Sequence, residues 1–555
     1  MDQKFEGTPR AVIRLEGRRL IRSAVSNDWG SRLQWLMPAG QAYLLTSDER
    51  FAQAARQVIE QWIQANPYAQ GINWACTMEV ALGILSWTWF FYVFARSQAW
   101  SDPKFQESFL RSLFLHAIFT ERHLERSDVN GNHFTADAAG LAFAGLFFRK
   151  GKQARAWLEQ GWQILCAELP RQVHEDGVDF EASVAYHRLV LELFFLPAVY
   201  RLRVGLEVPA AYRDRLVRMA HFTAAYCRDD GSTPLWGDAD DARALPLGGQ
   251  SVNDHRYLLG LLGSTLAPGL VKYFSGPRTE IFWLLGRQAA ESLPALNIPE
   301  HTPGSQAFPQ GGFYVMRGGR DHIFIDCGPV GLAGRGGHGH NDLLSFEAVL
   351  NGVPLVVDCG SYVYTADYAE RNRFRSTAYH NTPMVAGEEI NRFVSQRDLW
   401  TLRNDAQPTL LHWETSNDCD VFRGSHSGYH RLAEPVTPVR TITLDKRAHS
   451  LTILDEFEGQ SGATVEIPLH LAPGVTVRRE EEGRITLCAQ GREFDLQWEP
   501  VGAWQLSVEE ARVSPSYGVV VNSKRLVWKR EDSASKLQVI ISPVDDEGKL
   551  TKRTL

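Results

Sequence analysis

The sequence predicts two domains of different class, an all-α N-terminal half followed by an antiparallel β-sandwich. Three observations carry this reading. From about residue 30 to residue 290, apolar residues recur at helical spacing, in blocks of roughly 12 to 20 separated by short polar or Gly/Pro breaks. Residues 289–312 then lose all periodicity and contain Pro294, Pro299, Pro303, Gly304 and Pro309. Beyond them the period changes to two, the pattern of strands with one buried face. The resulting division is a helical domain over 1–290, a linker over 291–312 and a β domain over 313–555.

Each element follows from local chemistry. Ser47 is placed to cap a helix that opens Asp48-Glu49-Arg50-Phe51. The apolar run Ala81 to Ala95 is bracketed by Glu79 and Arg96, and its length falls short of the roughly 20 residues that span a bilayer, so it reads as a buried core helix. Small residues dominate Ala136 to Phe148, and Trp157, Trp162, Leu165 and Leu169 mark the face of the next helix. Later blocks run over 189–202, 211–227 and 252–266. Consecutive helices with short connections are antiparallel neighbours, as in a bundle, solenoid or toroid. In the second half, Phe313 to Met316, His322 to Ile325, Thr441 to Leu444, Leu451 to Leu454, Thr464 to Ile467 and Leu537 to Ile541 read as strands ended by Gly, Asp or Pro, which suits a sandwich.

Composition bounds the function. A net charge of −7 leaves no basic footprint for nucleic acid, although a polyanion could still be met by local positive charge in a cleft. Seven cysteines without paired CxxC spacing argue against a disulfide framework or a zinc ribbon. Met1-Asp-Gln-Lys-Phe-Glu has neither the basic nor the apolar region of a signal peptide. Sixteen Trp and sixteen Tyr are enough to supply both a helical core and sugar-stacking platforms.

Four polar clusters interrupt these patterns. Asn130-Gly-Asn132-His133 precedes the small-residue helix and, taken alone, reads as a helix cap. Asp176-Gly-Val-Asp179-Phe-Glu181-Ala-Ser-Val-Ala-Tyr186-His187 is a turn feeding a helix, rich in carboxylates with a phenol and an imidazole. Pro234-Leu-Trp236-Gly-Asp238-Ala-Asp240-Asp241 is an acidic turn able to hold a cation or an arginine, or to give half of a glycosidase pair. Gly336-Gly-His338-Gly-His340-Asn-Asp342 is followed 18 residues after His340 by Asp358, and 22 residues later by His380-Asn381-Thr382. Residues i and i+2 of an extended segment share a face, so one histidine of the His338/His340 pair can meet substrate while the other binds a metal.

In order, these clusters, together with Arg371-Asn-Arg373-Phe-Arg375-Ser376-Thr377-Ala-Tyr379-His380, resemble the heparinase II/III-like superfamily of polysaccharide lyases. The resemblance runs from about Trp35 to the last strands. It implies an incomplete (α/α) toroid joined to an antiparallel β-sandwich, and β-elimination of a uronic-acid-containing polysaccharide such as a glycosaminoglycan (hyaluronan, chondroitin, heparan sulfate) or alginate. It also implies a periplasmic or secreted location, while the missing signal peptide leaves a cytoplasmic one open. Carried over, Asn132 and His133 neutralise the substrate carboxylate, Tyr186 and His338 act as acid and base in an order left open, and His340, Asp358 and His380 ligate a divalent metal.

Chemistry makes sense of these residue types. The C5 proton of a uronate is feebly acidic beside an anionic carboxylate, so donors must stabilise the charge that develops there, and an acid must protonate the departing O4. Two imidazoles and a carboxylate suit zinc first, with manganese an alternative, in a mainly structural role; the other reading is a pair of unmetallated core histidines bonded to Asp358. Arg335, Arg371, Arg373 and Arg375 are candidates for substrate carboxylates or sulfates, with at least one of them only bracing the Asp342 or Asp358 region. Trp74 and Trp236 are candidate stacking platforms, Glu181 and Asp238 orienters of Tyr186, His187 or an arginine, and Tyr364 or Tyr368 a second phenol. Gly83, where related chains often carry Arg, leaves subsites undetermined. The expected partner is an anionic polysaccharide, with no nucleic acid and no membrane insertion. Two rivals remain at this stage: an (α/α) glycoside hydrolase using Glu181 and Asp238, and a non-catalytic carbohydrate-binding or exopolysaccharide-assembly protein.

Overall fold

The computed structural model describes residues 32–294, 301–459, 462–531 and 536–544. The N-terminal stretch through residue 31 and positions 295–300 of the expected linker lie outside the described residues.

The N-terminal half is helical. Its long helices are Glu49–Ala65, Thr77–Val93, Pro103–Arg122, Asn132–Phe148, Lys152–Gln172, Val184–Arg203 and Ala210–Tyr226, followed by shorter ones ending with Arg287–Glu291. Thr77–Val93 and Asn132–Phe148 are buried on nearly all sides, as helices that are apolar all round must be. Glycine lets them approach closely. A Cβ on Gly140 would lie 2.8 Å from the Ala81 Cβ, and one on Gly161 would lie 2.5 Å from the Ala138 carbonyl oxygen. This small-residue seam fixes the direction in which Asn132–Phe148 points its first turn.

Caps differ from expectation by one position. Asp48, not Ser47, caps Glu49–Ala65 by accepting from the Arg50 N–H, while Ser47 adopts a left-handed conformation that ends the preceding helix. The expected 252–266 helix is shorter, Tyr257–Gly263, because Asp254 and Arg256 close a turn on each other before it.

Among the described residues the C-terminal half contains three antiparallel sheets. Gln306–Phe308, Phe313–Gly318, Asp321–Asp326, Phe346–Leu350 and Val353–Val356 form a meander in chain order. An eight-stranded sheet runs in the order Thr476–Glu481, Arg484–Ala489, Arg492–Glu499, Leu537–Pro543, Ser450–Glu458, Thr437–Asp445, Cys419–His426, Pro408–Thr415. A four-stranded sheet orders Gln505–Ser516, Val519–Arg530, Val465–His470 and Met384–Val385. Side chains from all three sheets, among them Ile325, Leu350, Ile442, Leu487, Leu526 and Ile541, share one apolar core.

The two halves are welded together. Phe222, Tyr226 and Trp236 of the helical half pack with Phe308, Phe313 and Phe324 in a core of their own. Polar ties surround it: Arg228 pairs with Glu347, Arg317 donates to the Ala225 and Cys227 carbonyls, and the Asp241 carboxylate accepts from Ser516 and the Tyr517 N–H.

Candidate active site

Three elements of the helical half and one loop of the β half converge. Asn132 is the first residue of its helix, after Gly131, and its side chain makes no cap. The cap reading therefore fails: the Asn132 Nδ2 donates instead to Glu181 Oε2 at 2.7 Å, and its backbone N–H donates to Glu181 Oε1 at 2.7 Å. Gly131 is required here, since a Cβ would sit 2.5 Å from Glu181 Oε1. Tyr186 lies in the first turn of Val184–Arg203, whose cap Ser183 accepts from the Tyr186 N–H at 3.1 Å and donates to the Asp238 carbonyl at 2.6 Å. That single serine ties the Tyr186 helix to the Asp238 turn.

The His338 loop enters against these groups. Tyr186 and His338 stack with ring centroids 3.7 Å apart and planes 16° apart. The His338 Nε2 lies 3.5 Å from Asn132 Nδ2 and 3.6 Å from Glu181 Oε2. The Tyr186 hydroxyl is 3.4 Å from the Tyr364 hydroxyl. Burial, reinforced by Asp240 and Asp238, pushes the Tyr186 phenol well above its ordinary range, so it stays protonated.

Asp238 is the hub. It accepts from His338 Nδ1 at 3.0 Å, from His340 Nε2 at 2.9 Å and from both terminal nitrogens of Arg371, one of them at 2.7 Å. Burial opposes its ionisation, yet the Arg371 guanidinium and the two imidazoles hold it far below the usual carboxylate range. The orienting role expected of Asp238 thus falls on two histidines and an arginine, and that of Glu181 on Asn132. His187 is elsewhere, buried against the Met219 carbonyl and Thr223.

Behind His338 stand His340, Asp358 and His380, all buried, with ligand atoms within 4.8 Å of one another. His380 Nδ1 contacts Asp358 Oδ2 at 2.7 Å. Burial holds His340 neutral, down to about 4, and Asp358 stays ionised below its ordinary value because His380 outweighs burial. His340 Nδ1, His380 Nε2 and the Asp342 Oδ2 are buried without a hydrogen-bond partner among the described residues. Orphaned imidazole nitrogens beside an ionised carboxylate fit a divalent cation, since such atoms are costly to leave bare.

The first turn of the helix holds His133, whose Nδ1 lies 2.7 Å from Glu125 Oε2 with the side chain 42% exposed. Partial burial opposes its charge, but Cys76 and Glu125 raise it well above its ordinary value, leaving a cationic donor at the edge of the site.

Four expected substrate contacts are corrected. Trp74 is 6% exposed, enclosed by Trp62, Tyr68, His116 and Phe119, and Trp236 is 2% exposed in the core between the halves. Neither can stack on a sugar. Arg371 is fully buried on Asp238, and Arg375 is fully buried, donating to Asn372 and to the Leu399 and Asp398 carbonyls. Arg373 pairs with Glu370 on the surface. Arg335 alone of the named arginines stays both exposed and near the site's rim, paired with exposed Asp128. The aromatic that does reach solvent beside His338 is Trp400, 37% exposed, with its ring edge-on to His338 at 5.8 Å and to Tyr364 at 4.9 Å. No motif singles it out; Trp400 is carried to His338 by its loop, whose preceding Leu399 carbonyl accepts from Arg371 and Arg375.

Comparison with known proteins decides the family. Residues 27–247 match the model of the heparinase II/III N-terminus, and residues 300–547 match that of the heparinase II/III-like C-terminal domain. The chain belongs to the heparinase II/III-like family. It is therefore a polysaccharide lyase. Among its heparinase II/III-like relatives, a heparin-sulfate lyase of Bacteroides stercoris is 27% identical over 500 residues, covering 84% of this chain and 67% of the relative. One of Pedobacter heparinus is 24% identical over 535 residues, covering 92% and 72%. Solved structures agree in fold. Heparinase III aligns with a TM-score of 0.74 at 19% identity over 96% of this chain and 80% of its own, and the heparan sulfate lyase HepC of Pedobacter heparinus with 0.64 at 21% identity over 94% and 76%. The expected toroid and sandwich are thereby borne out. No helix among the described residues is long and apolar enough to cross a membrane.

Proposed function

We propose that this polysaccharide lyase cleaves a glycosaminoglycan, of heparan sulfate type in the first instance, by β-elimination at a 4-linked uronate. The carrying observation is the stack of Tyr186 on His338 beside the Asn132 amide, which puts a protonated phenol, an oriented imidazole and an amide donor around one small volume. The names of the curated relatives favour heparan sulfate over hyaluronan, chondroitin or alginate.

His338 is the base. Its Nδ1–H is committed to ionised Asp238, so the lone pair sits on Nε2, the arrangement by which a carboxylate fixes a catalytic imidazole's tautomer. Nε2 removes the C5 proton. The electron pair left on C5 becomes the C4–C5 double bond, the C4–O4 bond breaks, and the Tyr186 hydroxyl protonates the departing O4. Asn132, anchored by Glu181 and with its second amide hydrogen on the long 3.5 Å contact to the His338 Nε2, turns that hydrogen to the substrate, and with cationic His133 it stabilises the charge that grows on the uronate carboxylate. Trp400 offers a ring face at the rim for a neighbouring sugar, and Arg335 a charge for its sulfate or carboxylate.

His340, Asp358 and His380 would hold a divalent ion, zinc first and manganese second, which supplies charge compensation that keeps the loop bearing His338 in place. Hydrolysis by Glu181 and Asp238 is disfavoured because both carboxylates are buried and occupied, one by Asn132 and the other by Arg371 and two histidines. The test is a panel of heparan sulfate, heparin, chondroitin, hyaluronan and alginate read by the ultraviolet absorbance of the unsaturated uronate. Absorbance with heparan sulfate is the expected result; new reducing ends without that absorbance overturn elimination.

A further inference from the structure

A second cluster of metal-ligating side chains sits at the other edge of the site, unconnected to His340, Asp358 and His380. Cys76 precedes helix Thr77–Val93, Glu125 lies in the turn after Pro103–Arg122, and His133 opens the next helix. Cys76 Sγ is 3.2 Å from Glu125 Oε1 and 3.7 Å from His133 Nδ1, and the three ligand atoms all fall within 4.8 Å. We propose that Cys76, Glu125 and His133 form a second divalent-metal site, selective for a thiophilic ion such as zinc and open at its fourth position.

The geometry is close to what zinc demands. Bonds of about 2.3 Å to sulfur and about 2.0–2.2 Å to nitrogen and oxygen, set tetrahedrally, separate ligand atoms by about 3.4–3.6 Å. The two sulfur edges already straddle that range. The two Glu125 edges are made by different oxygens, Oε1 to the sulfur and Oε2 to the imidazole, so the carboxylate bridges the other two ligands, and its His133 edge, closed at 2.7 Å by a hydrogen bond, opens by about 0.7 Å when the ion replaces the shared proton. On binding, the thiol and the imidazole Nδ1 each give up a proton to solvent and become ligands.

The surroundings favour a cation. Glu125 is fixed by the Thr77 N–H at 2.6 Å, so its carboxylate is already aimed at the cluster. From behind, fully buried Asp137 accepts from the Glu125 N–H at 2.7 Å and so holds the Glu125 backbone in place. Cys76 and His133 are only partly buried, which leaves an entry path. A fourth protein ligand is lacking among the described residues, so water or an anionic group of a substrate would complete the sphere.

Cobalt(II) tests this without reference to activity, because a cobalt–thiolate bond gives an intense near-ultraviolet charge-transfer band that a site of nitrogen and oxygen ligands cannot give. The full chain titrated with cobalt(II) should develop that band, and zinc should bleach it. Cys76→Ser should abolish it and bind one equivalent fewer of zinc, while alkylation of the Cys76 peptide, followed by mass spectrometry, should slow at least tenfold in zinc-loaded wild type. A cobalt-loaded protein with no sulfur band, a band that survives in Cys76→Ser, or unaltered alkylation overturns the site. Failure here leaves the elimination reading standing, since that reading uses His133 without an ion.

Discussion

His338 Nδ1 lies 3.0 Å from Asp238 Oδ2, so a carboxylate of the helical half sets the proton position on an imidazole of the β half. The same carboxylate holds His340 and Arg371. The orientation of His338, the placing of the candidate metal ligand His340 and the charge balance of Arg371 therefore meet on one buried side chain.

Asp238→Asn keeps the shape but removes the charge. We expect kcat to fall by about 10²–10⁴, since an amide in this position permits the wrong imidazole tautomer. Arg371 would be left buried without a counter-charge, costing on the order of 3–5 kcal/mol of stability. Initial rates and urea midpoints measured together check both; unchanged rates would remove Asp238 from the orientation of His338.

Tyr186→Phe deletes only the hydroxyl, whose hydrogen-bond partner among the described residues is the Tyr364 hydroxyl at 3.4 Å. Turnover should drop by about 10²–10⁴, as for loss of a general acid, with an unaltered circular dichroism spectrum and urea midpoint. Retained activity would assign protonation of O4 to another group, Tyr364 first.

Trp400→Ala removes a half-exposed ring beside His338. A stacking contribution of about 0.5–1.5 kcal/mol predicts a KM increase of about 2- to 12-fold with kcat little changed. Steady-state kinetics on one defined oligosaccharide separates the two constants. An unchanged KM would show that no sugar rests there.

Metal loading reads out as stability. Zinc at about 100 times the Kd of the His340, Asp358 and His380 site should contribute about 2.7 kcal/mol of stability from that site, and His380→Ala should lose this increment while keeping the one from Cys76, Glu125 and His133. Denaturation of chelator-treated and zinc-restored protein provides the measurement.

The pH dependence of stability follows from buried neutral histidines. His116 is enclosed by Trp62, Trp74 and Trp87, and burial lowers it to about 4. An unfolded chain protonates this ring near about 6.5. The folded chain binds fewer protons between those values, so stability falls as pH drops from about 6.5 to about 4 and then levels. The loss from this ring is on the order of 3 kcal/mol, shared in kind by His187, His426 and His470, each lowered by burial to about 3. His116→Phe should flatten the slope of urea midpoint against pH; an equal slope would contradict the assignment.

Legibility in the sequence divides along physical lines. The helical and β halves were readable because amphipathic period is written residue by residue, and the shift from helical spacing to alternation marks the change of class. Asn132, Tyr186 and His338, which the structure brings together, stand out in the sequence because their chemical types fall in an ordered set of motifs. Trp74, Trp236, Arg371 and Arg375 were misplaced because exposure is a tertiary property: an arginine that braces a buried carboxylate and one that greets a sulfate have the same sequence appearance. Trp400 was missed for the converse reason, since it stands in no motif and gains its place only when its loop folds over Arg371 and Arg375. Cys76 and Glu125 lie 49 positions apart and meet only through the helix packing.

Tyr186 and His338 come from opposite halves, and the stack of Phe222, Phe313 and Phe324 holds those halves together. On the proposed mechanism, turnover is thus a gauge of docking: a variant that loosens this aromatic joint would slow it while leaving the Tyr186 and His338 side chains chemically intact. For an engineer, the joint is the place to install a control, because a ligand or crosslink that stiffens or pries it apart would tune the enzyme from a distance.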